Sequence, residues 1–223
     1  MKKVLIAVAV LFATSVSVQA QFKPTSGSIT TEISFAPFGN SPMSVDGLNV
    51  RYFVSDNFAA RVNLDFSSDV TIVENNGGDN NNPIQVVKQT ETFFMFSPGI
   101  EYHLGNINRL SPYIGAEIGI GFNSDKTHTD NEGYVKGDYS KTKTPGMGFG
   151  GGVFTGFDFY IYEGLYLGAE FGFGYMAMSS KPTKREGSHG GQTDNIPEND
   201  YPKTKIKNMG FEANTAIRLG WRF

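Results

Sequence analysis

Alternation with a period of two runs through almost the whole chain, and it restricts the fold more than any other feature. From Ile114 onward, Ile114, Ala116, Ile118, Ile120 and Phe122 are apolar, while Gly115, Glu117, Gly119 and Gly121 between them are small or charged. Side chains switch face at every residue of a strand but recur every 3.6 residues in a helix, so this pattern predicts strand. Seven further runs read the same way: about Ser28–Phe38, Leu48–Val54, Phe58–Phe66, Thr92–Leu104, Met147–Tyr160, Leu165–Tyr175 and Met209–Phe223. No helical period competes with them.

The connections alternate in length. Long polar links cover about 39–47, 67–90, 123–145 and 179–206, and short ones cover 55–57, 105–111 and 162–164. Long loops at one end and tight turns at the other predict an all-β, eight-stranded antiparallel up-and-down barrel.

A barrel of eight strands encloses just enough room for its inward side chains. The apolar face supplies several bulky residues per strand, too much volume for that interior, whereas the opposite face is rich in glycine. The Phe, Ile, Leu and Val face is therefore expected to point outward, into lipid. The opposite register would carry Arg51, Arg61 and Arg218 into hydrocarbon, at about 2–4 kcal/mol each near the midplane. Aromatics gather at the ends of the runs, as the girdles of a membrane barrel do. Phe58, Tyr102, Tyr113, Phe159, Tyr162, Trp221 and Phe223 are the expected interface anchors beside the short turns. Phe38, Phe66, Phe122 and Tyr175 lie beside the long loops.

The N-terminus agrees with export. Lys2 and Lys3 precede an apolar stretch from Val4 to Ala13, and Val18-Gln19-Ala20 forms a small-residue cleavage site. This predicts a signal peptide over residues 1–20, cleaved after Ala20, with the barrel occupying 21–223. The net charge of −3 gives no reason to expect a nucleic-acid partner. With no cysteine, disulfides and thiolate metal sites are ruled out.

The chain after the leader resembles the small eight-stranded outer-membrane barrels of the OmpA transmembrane-domain and OmpX-like family. Its closing AIRLGWRF is similar to the C-terminal signal that such proteins present to the barrel-assembly machinery. The resemblance implies a Gram-negative outer membrane, surrounding outer-membrane lipid, and recognition by that machinery through the strand bearing Trp221 and Phe223. Because the sequence stops at Phe223, no peptidoglycan-binding domain of the OmpA kind is expected after the barrel.

Inside the barrel, parity places Arg51, Arg61, Arg218 and Arg222 on one wall and Glu101, Glu117, Asp158 and Glu170 on the other. Buried charges need partners, so the expectation is a set of ion pairs plugging the lumen. A gate that opens when a pair breaks is the alternative. Glycines 119, 121, 148, 150, 152, 172 and 174 lie towards the long loops. They suit tight curvature, with a water-filled vestibule as the alternative.

Other motifs fail on context. Gly146-Met147-Gly148-Phe149-Gly150-Gly151 matches G-x-G-x-x-G but opens a strand, whereas a dinucleotide site needs a following helix. His103, His128 and His189 show no ligand spacing. No metal, cofactor or catalytic residue is expected. The function expected is structural or surface-interacting, with the extracellular loops touching a surface ligand or a partner membrane protein. The alternative is a narrow gated porin-like channel for small solutes or ions. An outer-membrane lipid-modifying enzyme ranks below both, since the outward face lacks histidine and the lumen is charged.

Overall fold

The computed structural model describes residues 22–35, 45–75, 85–105, 109–130, 138–189, 192–196 and 212–223. The leader expected over 1–20 lies outside the described residues, as do 39–44 of the first long loop.

Among the described residues, ten strands form a single antiparallel sheet: β1 (Ile29–Phe35), β2 (Val45–Ser55), β3 (Phe58–Asn75), β4 (Gln85–His103), β5 (Leu110–Asp130), β6 (Tyr139–Tyr162), β7 (Leu165–Ser180), β8 (Lys184–His189), β9 (Gln192–Ile196) and β10 (Glu212–Arg222). Eight of them close a ring in the order β1-β2-β3-β4-β5-β6-β7-β10, with β10 returning to β1 and β5 pairing β6. The all-β barrel read from the alternation is therefore the observed fold. Closure satisfies the backbone of every stave within the sheet, the condition for strands to cross a bilayer. The remaining pair, β8 and β9, forms a hairpin laid along β6. No helix among the described residues is long and apolar enough to cross a membrane.

The register carries the inside-out pattern from strand to strand. Ile33 pairs with both Leu48 and Leu219, and Ile100 pairs with both Ala60 and Ala116. Ile118 is 70% exposed and Phe149 67%, while Arg51 and Glu101 are fully buried. An apolar exterior around a charged interior is stable only where the surroundings are hydrocarbon.

The strands run further than the alternation predicted. Within the polar stretches 67–90 and 123–145, β3 continues to Asn75, β4 starts at Gln85, β5 reaches Asp130 and β6 starts at Tyr139. Likewise, β2 begins at Val45, and 179–206 holds the end of β7 together with β8 and β9. About 9–11 residues suffice to cross a bilayer, and β5 and β6 have 21 and 24. Beyond the apolar band both faces meet water, so the sequence loses its alternation while the ladder of hydrogen bonds carries on.

At the opposite end the turns are tight. Ser55 Oγ accepts from the Phe58 amide at 3.1 Å across Asp56-Asn57. Gly164 takes φ 79° between β6 and β7, a left-handed conformation that costs glycine little, and its carbonyl accepts from the Arg222 amide at 2.9 Å.

Candidate functional site

Every stave of the ring sends one charged side chain into a common cluster. These are Glu32 (β1), Arg51 (β2), Arg61 (β3), Glu101 (β4), Glu117 (β5), Asp158 (β6), Glu170 (β7) and Arg218 (β10). The strand period puts all eight on the inward face, and the register sets them at neighbouring heights.

Three guanidinium groups organise the carboxylates. Arg51 Nη1 lies 2.9 Å from both Glu101 Oε2 and Asp158 Oδ2, and its Nη2 contacts Glu32. It also donates to Thr30 Oγ1 at 3.1 Å and to the Tyr166 hydroxyl at 2.8 Å. That hydroxyl donates in turn to Glu32 Oε1 at 2.8 Å. Arg61 grips Glu170 with both terminal nitrogens, at 2.8 and 3.3 Å, and reaches Glu101 at 3.0 Å and Glu117 at 2.7 Å. Its guanidinium carbon sits 3.7 Å from the centre of the Phe154 ring, a cation–π contact. Arg218 lies 2.8 Å from Glu32, 3.1 Å from Asp158 and 3.2 Å from Glu170, and donates to the Tyr113 hydroxyl.

Burial is graded along the axis. The side chains of Glu32, Arg51, Glu101 and Asp158 are closed off completely, whereas Glu117 and Glu170 keep 24% and 17% exposure. Solvent therefore reaches the cluster from the loop side. Five carboxylates face three guanidinium groups, an acidic excess of two.

Aromatic rings complete the filling, three of them opposite a glycine. Tyr113 pairs with Gly156, Phe154 with Gly115, and Tyr166 with Gly220. A Cβ added at Gly156 would stand 2.3 Å from the Tyr113 hydroxyl, and one at Gly220 would stand 2.1 Å from the Tyr166 ring. Space for the rings is thus one reason for glycine on the inward face. Nearer the loops, Gly119 and Gly148 make the same allowance for Met95 and Met178.

Seven of the eight ion-pair candidates from the sequence meet in this cluster: Arg51, Arg61, Glu101, Glu117, Asp158, Glu170 and Arg218. The eighth, Arg222, stands at the short-turn end and donates to the Lys23 carbonyl. Glu32, Thr30 and Tyr166 were missed, although Glu32 shares inward parity with Thr30 and Ser34. Of the expected interface anchors, Phe58, Tyr102, Phe159, Tyr162 and Phe223 are exposed and Trp221 is half-buried. Tyr113 is a correction: it is fully buried, because Ile114 faces out and its neighbour must therefore face in. Its hydroxyl donates to Glu170 at 3.0 Å.

Ser111, His103 and Glu101 form a chain, with His103 Nδ1 2.9 Å from Ser111 Oγ and His103 Nε2 3.3 Å from Glu101 Oε2. The order is that of a nucleophile, base and acid. All three residues are buried, and Glu101 is already bound by Arg51 and Arg61. The chain is a structural hydrogen-bond relay.

A closed ring with lipid-facing aliphatics and a charged interior defines a transmembrane β-barrel. The chain belongs to the Putative OmpA-OmpF-like porin family, which matches residues 35–223. It is a porin-like barrel of a Gram-negative outer membrane. Among solved structures it is similar to the N-terminal β-barrel domain of Pseudomonas aeruginosa OprF, at 12% identity over 90% of this chain and 100% of that one, with a TM-score of 0.30. It is similar also to Acinetobacter baumannii CarO, at 11% identity over 92% and 99%, with a TM-score of 0.39. No curated protein matches it significantly.

Proposed function

We propose that this protein is a structural outer-membrane barrel whose lumen is plugged by its ion pairs and whose specific contacts are made by the loop end. The observation carrying this reading is the contribution of one charged residue per stave, joined across the interior at 2.7–3.3 Å. Hydrated ions crossing that level would have to break several buried pairs at once, each of which is costly to leave half-made. Sheet extending beyond the apolar band gives the loop end a surface on which a ligand or a partner membrane protein can dock. Export is assigned to residues 1–20, cleaved after Ala20, and delivery to the barrel-assembly machinery to the strand ending in Trp221 and Phe223.

Planar-bilayer recording tests the plug. The expected trace shows no steady conductance for the purified barrel. A steady open level that changes on Arg61→Ala or Glu117→Ala would select a narrow gated channel instead. That second reading draws on the partial exposure of Glu117 and Glu170, which brings water to the cluster. The acidic excess makes such a channel cation-selective.

A further inference from the structure

The outer wall of the barrel is not evenly clad. A groove of about 530 Å³ crosses it from β3 to β7, within the size range of small-molecule sites. One register row along it runs from Phe58 through Tyr102 and Thr155 to Phe171, and the row beside it carries Ala116. Ala116 and Thr155 are short, so the wall dips on β5 and β6 between taller neighbours. Phe171 and Phe173 bound the β7 end, edge to face with their ring centroids 4.8 Å apart. Glu101, Gly115 and Phe154 also border the groove, and their inward parity means that they contribute backbone only.

The groove is built for hydrocarbon. On its floor the Thr155 hydroxyl donates to the Tyr113 carbonyl at 3.0 Å, so the residue offers a ligand only its methyl group. The groove also climbs. Phe58 opens β3 and Tyr102 stands next to the last residue of β4, both at the short-turn girdle, whereas Thr155 and Phe171 lie well inside β6 and β7. With strands tilted about 40°, a row perpendicular to them rises along the barrel axis. One end therefore opens at headgroup level, and the other reaches the hydrocarbon interior.

Size decides against a protein occupant. Five strands about 4.8 Å apart and two rows about 6.7 Å apart enclose roughly 300 Å². A specific protein partner covers about 800 Å². A single polymethylene chain that enters beside the headgroups and runs towards the midplane matches the groove in width, direction and chemistry. The short turns of such barrels face the periplasm, the side of the glycerophospholipid leaflet. We infer that the groove is a binding site for one acyl chain of a glycerophospholipid. The headgroup stands at the level of Tyr102, and the chain lies over Ala116 and Thr155 against Phe171 and Phe173.

Photo-crosslinking tests this, with the full-length protein in nanodiscs containing phosphatidylethanolamine that bears a diazirine at the end of one acyl chain. Label is expected to concentrate on the groove segments of β5, β6 and β7. Wild type should also keep one phospholipid through detergent extraction, as read by native mass spectrometry. Ala116→Phe fills the groove from its floor and is expected to lower that retention about tenfold, through the loss of roughly ten close carbon contacts. Ala116→Leu should show a smaller loss, and it carries the comparison if the larger ring prevents folding. Ile118→Phe, on the same strand but outside the groove, should behave as wild type. Heat-modifiability on gels confirms that each variant is folded. Label spread evenly round the barrel, or unchanged retention by the folded Ala116 variants, overturns the proposal. Preferential retention of lipid A overturns it too, as does a dimer that Ala116→Phe dissociates without loss of lipid.

Discussion

Arg61 on β3 holds Glu170 on β7, the stave diametrically opposite it in the ring, with 2.8 Å between Nη1 and Oε2. Arg51 on β2 reaches Asp158 on β6 in the same way, at 2.9 Å. These two pairs tie together walls that the backbone ladder links only around the circumference. Removing Arg61 leaves Glu101, Glu117 and Glu170 without their shared cation. Arg61→Ala is expected to destabilise the barrel by about 3–5 kcal/mol, the usual cost of orphaning a buried partner. Urea unfolding of the protein in lipid vesicles measures it. Arg61→Lys keeps the charge but cannot reproduce the two-nitrogen grip on Glu170, so it should fall between wild type and Arg61→Ala.

Tyr166 isolates the hydrogen-bond contribution from charge. Its hydroxyl accepts from Arg51 and donates to Glu32. Tyr166→Phe preserves the ring over Gly220 while leaving both charged partners one bond short. A loss of about 1–3 kcal/mol is expected, read as a lower urea midpoint with an unchanged m-value. Unchanged stability would mean that the hydroxyl is only a spectator between Arg51 and Glu32.

The contrast between these residues shows what the sequence can and cannot display. Alternation identified the barrel and seven members of the cluster, because parity is a local property: Arg61 faces in if Ala60 and Val62 face out. Height and register are not local. Glu32 sits on a strand of seven residues, and nothing in ITTEISF shows that its carboxylate lies level with Arg51 and Arg218. Tyr113 departs from its expected place in the girdle for a related reason. Nearness to a turn suggested the girdle, whereas its parity relative to Ile114 decided the matter. The ends of β3 to β6 were invisible for want of contrast, since strand with water on both faces reads as a polar loop.

Close packing between ring and glycine makes a further prediction. A Cβ at Gly156 would lie 2.3 Å from the Tyr113 hydroxyl and 2.5 Å from the Ala169 carbonyl, so neither side chain nor backbone can yield cheaply. Gly156→Val is expected to cost about 1–3 kcal/mol from overpacking. Gly174→Ala, whose nearest neighbour would be the Gly151 carbonyl at 3.7 Å, should be tolerated. Folding yield into detergent micelles, followed by the gel shift of unboiled protein, separates the two.

Glu117 and Ile118 are adjacent in sequence but separated by the wall of the barrel. Glu117 takes an ion pair from Arg61 at 2.7 Å inside, while Ile118 is 70% exposed on the outer face. A charge introduced at each position therefore meets a different solvent. Ile118→Arg would place a guanidinium against acyl chains, at about 2–4 kcal/mol if the site is near the midplane. Glu117→Gln removes an inward charge that retains some contact with water, and the carboxylates of Glu101 and Glu170 still pair Arg61. Its effect should be the smaller one. In a water-soluble barrel, Ile118→Arg would cost almost nothing, so the order of the two penalties reports directly on which face meets lipid. Equilibrium unfolding from vesicles of fixed thickness measures both, and a harmless Ile118→Arg would overturn the membrane orientation of the whole ring.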